Sequence, residues 1–502
     1  MGLLDVETRS LLLVVVLVGL GFLGINALLR AVAVRRFSRK NGCSPPPTRT
    51  DSSGGMSTLL EILEASRNNY FLVLLRTWHH QYGNTFRTRV AGRTWIMTIE
   101  PKNVQAMLAT KFQDFDLGYR NKALSPLLGQ GIFASDGSIW EHSRALIRPN
   151  FVRNQVADVE LYETHVTKLI QYIPRDGSPV DMQELFFRMT LDSATEFLFG
   201  ESVNSLDDGR VSSTNFAEDF NVSQVGLAVR IRMGPLTPFH FDRQFWKATS
   251  DARGYVNRFV DQAVEFRKAT DNKVLSEKEG KYVFLHELAK RTLDKKEITD
   301  QLLNILLAGR DTTAGLLSIT FHQLARHPKV WGKLQQEVQN LNGLKPSFED
   351  LKSMKYLSWV INETLRLYPS VPFNMRTANK DTYLPVGGGA DGKSPIFIPK
   401  GQEVIYEVYG MHRLTEFYGP DATEFRPERW ETLKPGWAYI PFNGGPRICI
   451  GQQFALTETG YSIVRIMQEF KGIENCDPEP FQEWVTLTLA SKHGTKVVLT
   501  PA

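Results

Sequence analysis

The sequence predicts a mainly α-helical fold with small β-sheets, an α+β protein, behind a single N-terminal transmembrane helix. Residues 11–29 form one apolar run, and residues 298–326 carry a long helical pattern. Short strand-like segments lie near residues 85–99, 371–378, 395–408 and the C-terminal end. A composition of 42% hydrophobic and 23% charged residues is typical of a folded globular chain. Since no repeat or second linker interrupts the patterns after residue 60, we predict one domain over residues 59–502.

The apolar run predicts a membrane anchor. Residues 11–29 are apolar apart from Asn26, and this length is sufficient for a helix to cross the bilayer core. Two acidic residues precede the run and a basic cluster of five residues follows it: Arg30, Arg35, Arg36, Arg39 and Lys40. By the positive-inside rule, residues 1–10 are lumenal and the body is cytosolic. The alternative is a cleaved secretory signal, since residues 31–33 resemble a cleavage site, but the long run and the basic segment after it favour the anchor.

The charge distribution separates membrane binding from nucleic-acid binding. The net charge is +5, and residues 1–40 carry six basic and two acidic side chains, which leaves 53 basic and 52 acidic side chains in the body. A nucleic-acid-binding protein would normally show a basic face in its folded part, so we predict no nucleic-acid partner. Three cysteines in 502 residues cannot form a disulfide scaffold, which indicates a reducing compartment.

Residues 30–58 are predicted to be a basic and Pro-rich linker. Three consecutive prolines at positions 45–47 favour a stiff extended segment, and the polar, Gly/Ser-rich residues 48–55 follow them. Further along the chain, residues 387–392 match the dinucleotide-binding pattern G-x-G-x-x-G. That pattern requires a following helix, whereas the residues that follow here are extended, so a hairpin loop is predicted instead.

The strongest chemical signal is the segment F-N-G-G-P-R-I-C-I-G at residues 442–451. Its glycines and proline predict a tight loop, and a helical pattern follows, so Cys449 lies at a helix N-terminus. Backbone amides and the helix dipole there favour a thiolate, the form of cysteine that binds metals. Arg447 can meet a nearby anion. A lone cysteine in this position would more often be a buried structural residue, but the ten-residue pattern as a whole favours a metal ligand.

This segment resembles the haem-binding signature of the cytochromes P-450. The resemblance implies that Cys449 is the proximal axial ligand of the iron of haem b. A thiolate ligand pushes electron density onto iron and favours O–O cleavage. The implied activity is that of a monooxygenase, which uses a reduced flavoprotein and O2 to insert one oxygen atom into a C–H bond of an apolar substrate.

A second motif lies in the long helical pattern at residues 298–326. Ala308-Gly309 stands in its middle, and glycine there costs about 1 kcal/mol relative to alanine, which is understandable if another group must approach the backbone. Asp311 and Thr312 place an acid and a hydroxyl beside this gap. The stretch resembles the oxygen-activation motif of the family, by which Thr312 hydrogen-bonds the bound dioxygen and Asp311 helps to relay protons. The alternative is that both are ordinary capping or packing residues.

Three charged residues match the structural triad of the family. Glu363 and Arg366 are three residues apart and share a helix face. Glu-x-x-Arg is common by chance and would otherwise be read as a surface ion pair. Together with Arg429 in P-E-R-W it resembles the triad that holds the haem-side core.

Four further residues match the family's partners of the haem propionates. Trp140 and Arg144 are four residues apart and resemble its W-x-x-x-R element, and Arg376 and Arg447 match two other positions. Arginine's planar fork suits carboxylates. The alternative is that these arginines pair only with acidic side chains of the protein.

Several segments resemble one branch of the family, the fungal microsomal alkane and fatty-acid hydroxylases: residues 129–133, 140–144, 195–202 and 451–455. This implies hydroxylation of a long aliphatic chain at or near its end, and single-pass anchoring in the endoplasmic reticulum membrane. The candidate pocket residues are all apolar: Phe112, Phe115, Leu124, Leu127, Leu128, Val371 and Phe373. Residues 227–233 and 236–239 form a patchy apolar stretch, which is a candidate for a surface that dips into the bilayer near a substrate entrance.

Since no flavin or nicotinamide motif is found, the electrons must come from a partner. The resemblance implies an NADPH-cytochrome P-450 reductase that docks near the Cys449 side, with cytochrome b5 as an optional second donor. Three alternatives stay open at this point: oxidation of a fungal secondary-metabolite scaffold by the same chemistry, an O2-independent haem-thiolate isomerase or dehydratase, and a non-catalytic haem sensor or carrier.

Overall fold

The computed structural model describes residues 6–151, 157–207, 216–269 and 282–502. Within them the α-helices are α1 Val6–Asn41, α2 Met56–Arg67, α3 Phe71–Tyr82, α4 Pro101–Gln105, α5 Arg120–Leu128, α6 Gly137–Ile147, α7 Glu160–Gln171, α8 Met182–Phe199, α9 Phe216–Met233, α10 Arg243–Ala269, α11 Phe284–Arg291, α12 Lys295–Arg326, α13 Pro328–Gln339, α14 Phe348–Ser353, α15 Lys355–Leu367, α16 Val408–Met411, α17 Thr415–Tyr418 and α18 Gln452–Glu469. The strands are β1 Thr85–Val90, β2 Arg93–Thr98, β3 Phe115–Asp116, β4 Val180–Asp181, β5 Phe373–Ala378, β6 Thr382–Gly388, β7 Ser394–Ile398, β8 Glu403–Glu407, β9 Phe470–Asn475, β10 Glu483–Val485, β11 Leu489–Ser491 and β12 Lys496–Pro501.

The strands form small sheets at the edge of a helical body. The largest sheet has the order β1-β2-β8-β5-β3, in which β2 and β8 run parallel and the other neighbours run antiparallel. A three-stranded sheet has the order β4-β12-β9, and β6-β7 and β10-β11 are two-stranded. Most of these strands lie where the sequence patterns predict them, but β3, β4 and β6 were not predicted. The predicted fold class is confirmed.

The long helix α12 runs through the core and packs against α8, α10 and α18. It begins three residues before the predicted position because the carboxylate of Asp294 caps it, accepting hydrogen bonds from two backbone N–H groups of the first turn at 2.9 and 3.1 Å. It ends at Arg326, as predicted, because Pro328 follows. An apolar helix buried on nearly all sides is the element around which a domain of this size assembles.

The N-terminal helix is longer than the predicted span. The sequence analysis ended the helix at residue 29 and began a linker at residue 30, whereas α1 continues to Asn41 and carries the basic cluster on its last turns. Nothing in residues 30–41 breaks a helix, and the break comes only at Gly42, where φ is +64°. The described apolar side chains of the run are exposed, and the helix from Leu13 onward is long and apolar enough to cross a membrane.

The Pro-rich segment is docked on the body. Backbone hydrogen bonds join Ser44 to Pro395 and Arg49 to Arg87, each at 2.8 Å. Towards the end of α1, Arg30 forms a two-fold ion pair with Asp381 at 2.5 and 2.6 Å. The residues between α1 and α2 therefore pack along the edges of β1 and the β6-β7 hairpin.

The glycine-rich motif at residues 387–392 is a hairpin loop, as predicted. It joins β6 to β7, which pair antiparallel, and no helix follows it. A Cβ atom at Gly388 would lie 2.4 Å from the carbonyl oxygen of Ser44. Glycine there allows the N-terminal segment to lie against the hairpin.

Candidate active site

The loop that carries Cys449 is shaped by two glycines. Gly445 has a φ of +67°, and a Cβ atom there would lie 1.7 Å from the carbonyl oxygen of Leu108. A Cβ atom at Gly444 would lie 2.6 Å from the Trp437 ring. The backbone N–H of Cys449 donates to the carbonyl of Phe442 at 3.0 Å. The loop thus holds Cys449 immediately before α18.

The Cys449 side chain borders an internal cavity. It is accessible, yet it lies so deep among protein atoms that burial raises the pKa of its thiol. A side chain that is both deep and accessible faces a space inside the protein. The Gly451 amide and Arg144 favour the thiolate, as the sequence analysis expected for a helix N-terminus, but burial outweighs them. A metal ion is the group that would overcome this, because a coordinating thiol is deprotonated outright.

The central helix has one open stretch. From Ile298 to Ala325 every side chain of α12 is buried except those of Leu307, Ala308, Gly309 and Thr312. Among the described residues, and apart from the backbone of the helix itself, only the Cβ of Ala194 lies within 4 Å of a Cβ atom built at Gly309, at 3.9 Å. The sequence predicts a close approach to the backbone at this point, and there is space for one.

The loop at residues 129–133 links this open stretch to the Cys449 loop. The backbone N–H of Phe133 donates to the Asn304 side chain at 3.1 Å, and Asn304 lies four residues, about 6 Å of rise, before Ala308 on the same helix face. The carbonyl of Ile132 accepts from Arg447 at 3.5 Å, two residues before Cys449. The 129–133 loop therefore contacts both α12, one turn before its open stretch, and the loop that carries Cys449.

Thr312 and Asp311 lie on different faces of α12. The Thr312 hydroxyl donates to the carbonyl of Ala308 at 2.7 Å, which leaves its oxygen free to accept a hydrogen bond at the open stretch. Asp311 is buried, and burial raises the pKa of its carboxyl, with Arg310 and Gln224 opposing the effect. Its Oδ1 lies 3.3 Å from a guanidinium nitrogen of Arg310 and accepts no hydrogen bond within the described part of the chain. Asp311 is thus a buried acid that holds its proton to a higher pH than an exposed aspartate.

Three arginines come together beside the Cys449 loop. Burial lowers the pKa of Arg447 to about 10, with Arg376 and Arg120 adding to the effect and Asp136 opposing it. Burial and Arg376 likewise lower the pKa of Arg120 to about 10. Arg376 and Arg447 are predicted from the sequence as partners of the haem propionates, whereas Arg120, the first residue of α5, is not. A lone arginine has no spacing signal, and only its neighbours in the fold distinguish it from a surface residue.

The positive charge of these three arginines exceeds the negative charge of the acidic side chains beside them. Arg447 pairs with Asp136 at 2.7 Å. Among the described residues, Arg376 and Arg120 form no ion pair, and the buried Nε of Arg120 has no hydrogen-bond partner. Within the same residues, Arg376 donates only to the carbonyl of Met375, at 2.8 Å, and to the amide oxygen of Asn374, at 3.3 Å. Arg120 donates to the same amide oxygen at 2.5 Å. Buried cations without a matching anion are costly, so the cluster fits a group that brings carboxylates of its own.

Trp140 and Arg144 share a face of α6, as predicted. The Arg447 guanidinium lies 4.4 Å from the centre of the Trp140 ring, and the Arg144 guanidinium lies 6.0 Å from it. Arg144 donates to the carbonyl of Ile448 at 3.0 Å. This pair therefore connects α6 to both the arginine cluster and the Cys449 loop.

The family model described as Cytochrome P450 matches residues 53–497. The chain belongs to the cytochrome P450 family. It is 46% identical to cytochrome P450 monooxygenase himC of Aspergillus japonicus, over 95% of this chain and 89% of that protein. It is also 46% identical to cytochrome P450 52A3-B of Candida maltosa, over 92% and 93%. A solved cytochrome P450DA heme domain has a TM-score of 0.77 over 92% of this chain and 98% of that one, with 22% identity, which shows the shared fold.

Membership of this family confirms the predicted cofactor and enzyme class. Cytochromes P450 are haem-thiolate proteins with an iron cofactor, and the relatives are monooxygenases, so this protein is a P450 monooxygenase. The accessible Cys449 thiol, the open stretch of α12 and the unmatched arginine cluster fit a flat dicarboxylate group such as haem.

The structure also brings together the three residues predicted as the P450 structural triad. Glu363 accepts two hydrogen bonds from Arg366, at 2.8 and 2.9 Å, and one from Arg429, at 2.9 Å. All three side chains are at least 97% buried. The indole N–H of Trp430 and the backbone N–H of Arg426 complete the set of donors to the same carboxylate, at 3.0 and 2.9 Å.

The candidate pocket residues of this P450 divide into two groups. The buried ones are packed in the hydrophobic core: Phe115, Leu124, Leu127 and Leu128. Phe112 lies against Trp140 with 5.5 Å between ring centres, and Phe373 lies against Phe71 at 5.4 Å. Val371 is half-buried and follows Ser370, whose hydroxyl donates to the carbonyl of Thr312 at 3.3 Å. The contact of Ser370 with Thr312 brings the chain just before Val371 to the open stretch.

Proposed function

We propose that this P450 monooxygenase hydroxylates a long aliphatic chain, a fatty acid or an alkane, at or near its end. The observation that carries the proposal is the apolar character of the half-buried residues around the accessible Cys449 and the open stretch of α12: Ile132, Phe133, Leu307 and Val371. No charged group lies in that set, so recognition near the reacting carbon rests on shape. The resemblance of several segments to fungal alkane and fatty-acid hydroxylases supports the same substrate class.

The residues around the cavity divide the work of holding the cofactor. Cys449 would supply the thiolate ligand of the iron, and Arg120, Arg376 and Arg447 would neutralise the two propionates. Trp140 and Arg144 would support that cluster from α6. Haem, when bound, supplies the iron at which dioxygen is activated by electrons from the partner.

Two side chains of α12 would manage protons. The Thr312 oxygen, whose own proton is committed to Ala308, can accept a hydrogen bond in the cavity. Burial raises the pKa of Asp311 towards the working pH, which suits a group that passes on a proton. Glu363, Arg366 and Arg429 would do no chemistry and would hold the core beneath the Cys449 loop.

The protein would work at the cytosolic face of the endoplasmic reticulum membrane. The apolar, exposed α1 would span the bilayer once, with its basic end on the cytosolic side. A second apolar surface consists of the exposed Leu236, Phe239 and Phe241, which are 61%, 65% and 86% accessible. Partial insertion of this surface would bring the body close to substrates dissolved in the membrane.

The electrons would come from an NADPH-dependent flavoprotein, the NADPH-cytochrome P-450 reductase, with cytochrome b5 as an optional second donor. P450 enzymes of microsomal type use such a reductase. We place the docking surface near the Cys449 loop, because Ile448 is 40% accessible and Arg144 beside it supplies positive charge.

The carbon-monoxide spectrum of the reduced protein tests the cofactor assignment. Cys449→Ala should abolish the band that gives the family its name, because only a thiolate ligand produces it. Cys476→Ala is the matched control, since Cys476 is exposed and lies on the far side of α18 in the sequence. A Cys449→Ala protein that retained the band would overturn the assignment.

Incubation of the reconstituted enzyme with fatty acids of different chain lengths, NADPH and O2 tests the substrate class. Mass analysis should find products with one added oxygen at or near the chain end. The second candidate is oxidation of a fungal secondary-metabolite scaffold. It is kept because himC of Aspergillus japonicus, which does not carry the 52A name, is as similar to this chain as the 52A3-B protein. No hydroxylated product at any chain length would favour that second candidate.

A further inference from the structure

The loop at residues 129–133 is held by two polar side chains of the central helix. Asp300 and Asn304 are four residues apart on α12 and share one face. The Asn304 amide donates to the carbonyl of Leu128 at 2.8 Å and accepts from the backbone N–H of Phe133 at 3.1 Å. Asp300 accepts from the backbone N–H of Gln130 at 3.0 Å. The loop backbone therefore uses α12 side chains for the hydrogen bonds that a regular element would provide.

The two glycines of the loop allow this close approach. A Cβ atom at Gly129 would lie 2.0 Å from the Asp300 carboxylate, and one at Gly131 would lie 2.0 Å from the Asn304 amide nitrogen. Asp300 is also paired with Arg253 at 2.7 Å, so its charge is matched. Both polar side chains are buried, with at most 1% accessible surface. Buried polar groups with all these bonds satisfied specify one position for the loop.

The loop lies between the open stretch of α12 and the Cys449 loop. Asn304 is one helical turn before Ala308, which belongs to the open stretch, and the carbonyl of Ile132 faces Arg447 on the Cys449 side. Ile132 and Phe133 are half-buried between the buried Gly131 and Ala134 and pack against the hydrophobic core at this junction.

We propose that Asn304 and Asp300 are positioning residues that fix the 129–133 loop as a wall of the substrate cavity, and thereby determine which carbon of the chain is hydroxylated. The inference rests on the proposed hydroxylation of an aliphatic chain. Neighbouring methylene groups differ only in position, so an enzyme distinguishes them through the shape of the wall. Because the loop is hydrogen-bonded to α12, the position of that wall relative to Thr312 on the same helix stays constant.

The test perturbs one contact from both sides. Asn304→Ala removes the amide, and Gly131→Ala adds the Cβ that the amide excludes. The measured quantity is the ratio of terminal to subterminal hydroxylated fatty acid, expressed per haem that binds carbon monoxide. We expect each variant to change this ratio by about fivefold, as the loss of one net hydrogen bond would. Asn257→Ala is the control, because Asn257 accepts a hydrogen bond from Thr299 of α12 at 2.7 Å away from the loop.

In the double variant the two effects should not multiply, because removal of the amide at position 304 leaves the space that the added Cβ at position 131 needs. Hydrogen exchange of the loop amides, which needs no substrate, should be faster in Asn304→Ala and unchanged in Asn257→Ala. Unchanged product ratios in both single variants, or effects that simply multiply, would overturn the inference. If the unaltered enzyme hydroxylates no fatty acid, the proposed function fails instead. Loop exchange that is unchanged in Asn304→Ala would then overturn the inference on its own.

Discussion

Replacement of Glu363 by glutamine should destabilise the fold by about 3–5 kcal/mol, the usual cost of removing one member of a buried ion pair. The Glu363 carboxylate accepts five hydrogen bonds, and its side chain and that of Arg366 have no accessible surface. Glutamine retains one acceptor oxygen and directs an NH2 group at guanidinium groups that can only donate. Arg366 would then have no anionic partner among the described residues, and Arg429 would retain only Asp421, at 3.2 Å.

Urea unfolding followed by circular dichroism and by the haem absorption band measures this effect. Because a native domain is stable by only about 5–15 kcal/mol, the Glu363→Gln midpoint should fall by about a fifth or more. The matched control is Lys333→Met, which breaks an ion pair with Glu428 whose side chains are 54% and 36% accessible. That exposed pair should contribute less than about 1 kcal/mol. Equal midpoints for Glu363→Gln and Lys333→Met would refute the reasoning.

Three other predictions concern the cavity and the core. Arg120→Met should weaken haem retention by about tenfold, because a charge-assisted hydrogen bond is lost. Arg89 is exposed, so Arg89→Met should leave haem retention unchanged. The rate of haem transfer to apomyoglobin measures retention in both variants. Asp311→Asn should lower product formed per NADPH by roughly a hundredfold and raise peroxide release, because an amide cannot deliver the proton; unchanged coupling would remove Asp311 from the proton path. Burial raises the pKa of Glu458 from 4.5 to about 8, so its contribution to stability is complete below about pH 4.5 and is lost as the pH rises through 8. Glu458→Gln should flatten this loss, and urea midpoints at about pH 5 and pH 9 compare the two proteins.

The sequence predicted the elements whose causes are local. The apolar run, the helix that Pro328 ends and the glycine-rich hairpin each depend on residues close together in the chain. The ten-residue pattern around Cys449 is also predictable from local residues, because the glycines within it favour a tight loop before a helix. The helix boundaries were predicted less accurately than the helices themselves, because a single capping side chain such as Asp294 moves the start of α12 by three residues.

The features that the sequence did not predict depend on contacts between distant segments. Arg120 joins Arg376 and Arg447 only because α5, β5 and the Cys449 loop meet in the fold. The effect of burial on the Cys449 thiol likewise depends on the depth of the loop, which the local helix N-terminus does not reveal. The residues between α1 and α2 read as a linker because their partners, such as Pro395 and Asp381, lie more than 300 positions away.

The docked segment after the anchor has a mechanical consequence. Arg30 is tied to Asp381, Phe37 packs edge-on against Phe397 with 5.3 Å between ring centres, and the extended residues that follow run along the hairpin. A free linker would let the body rotate relative to α1, whereas these contacts fix the angle between α1 and the body. The tilt of the membrane helix then dictates which side of the body faces the lipid. A shortened protein that begins at Met56 would lose these contacts and expose the edge of the β6-β7 hairpin. Because an exposed strand edge can pair with another chain, this protein should associate more readily.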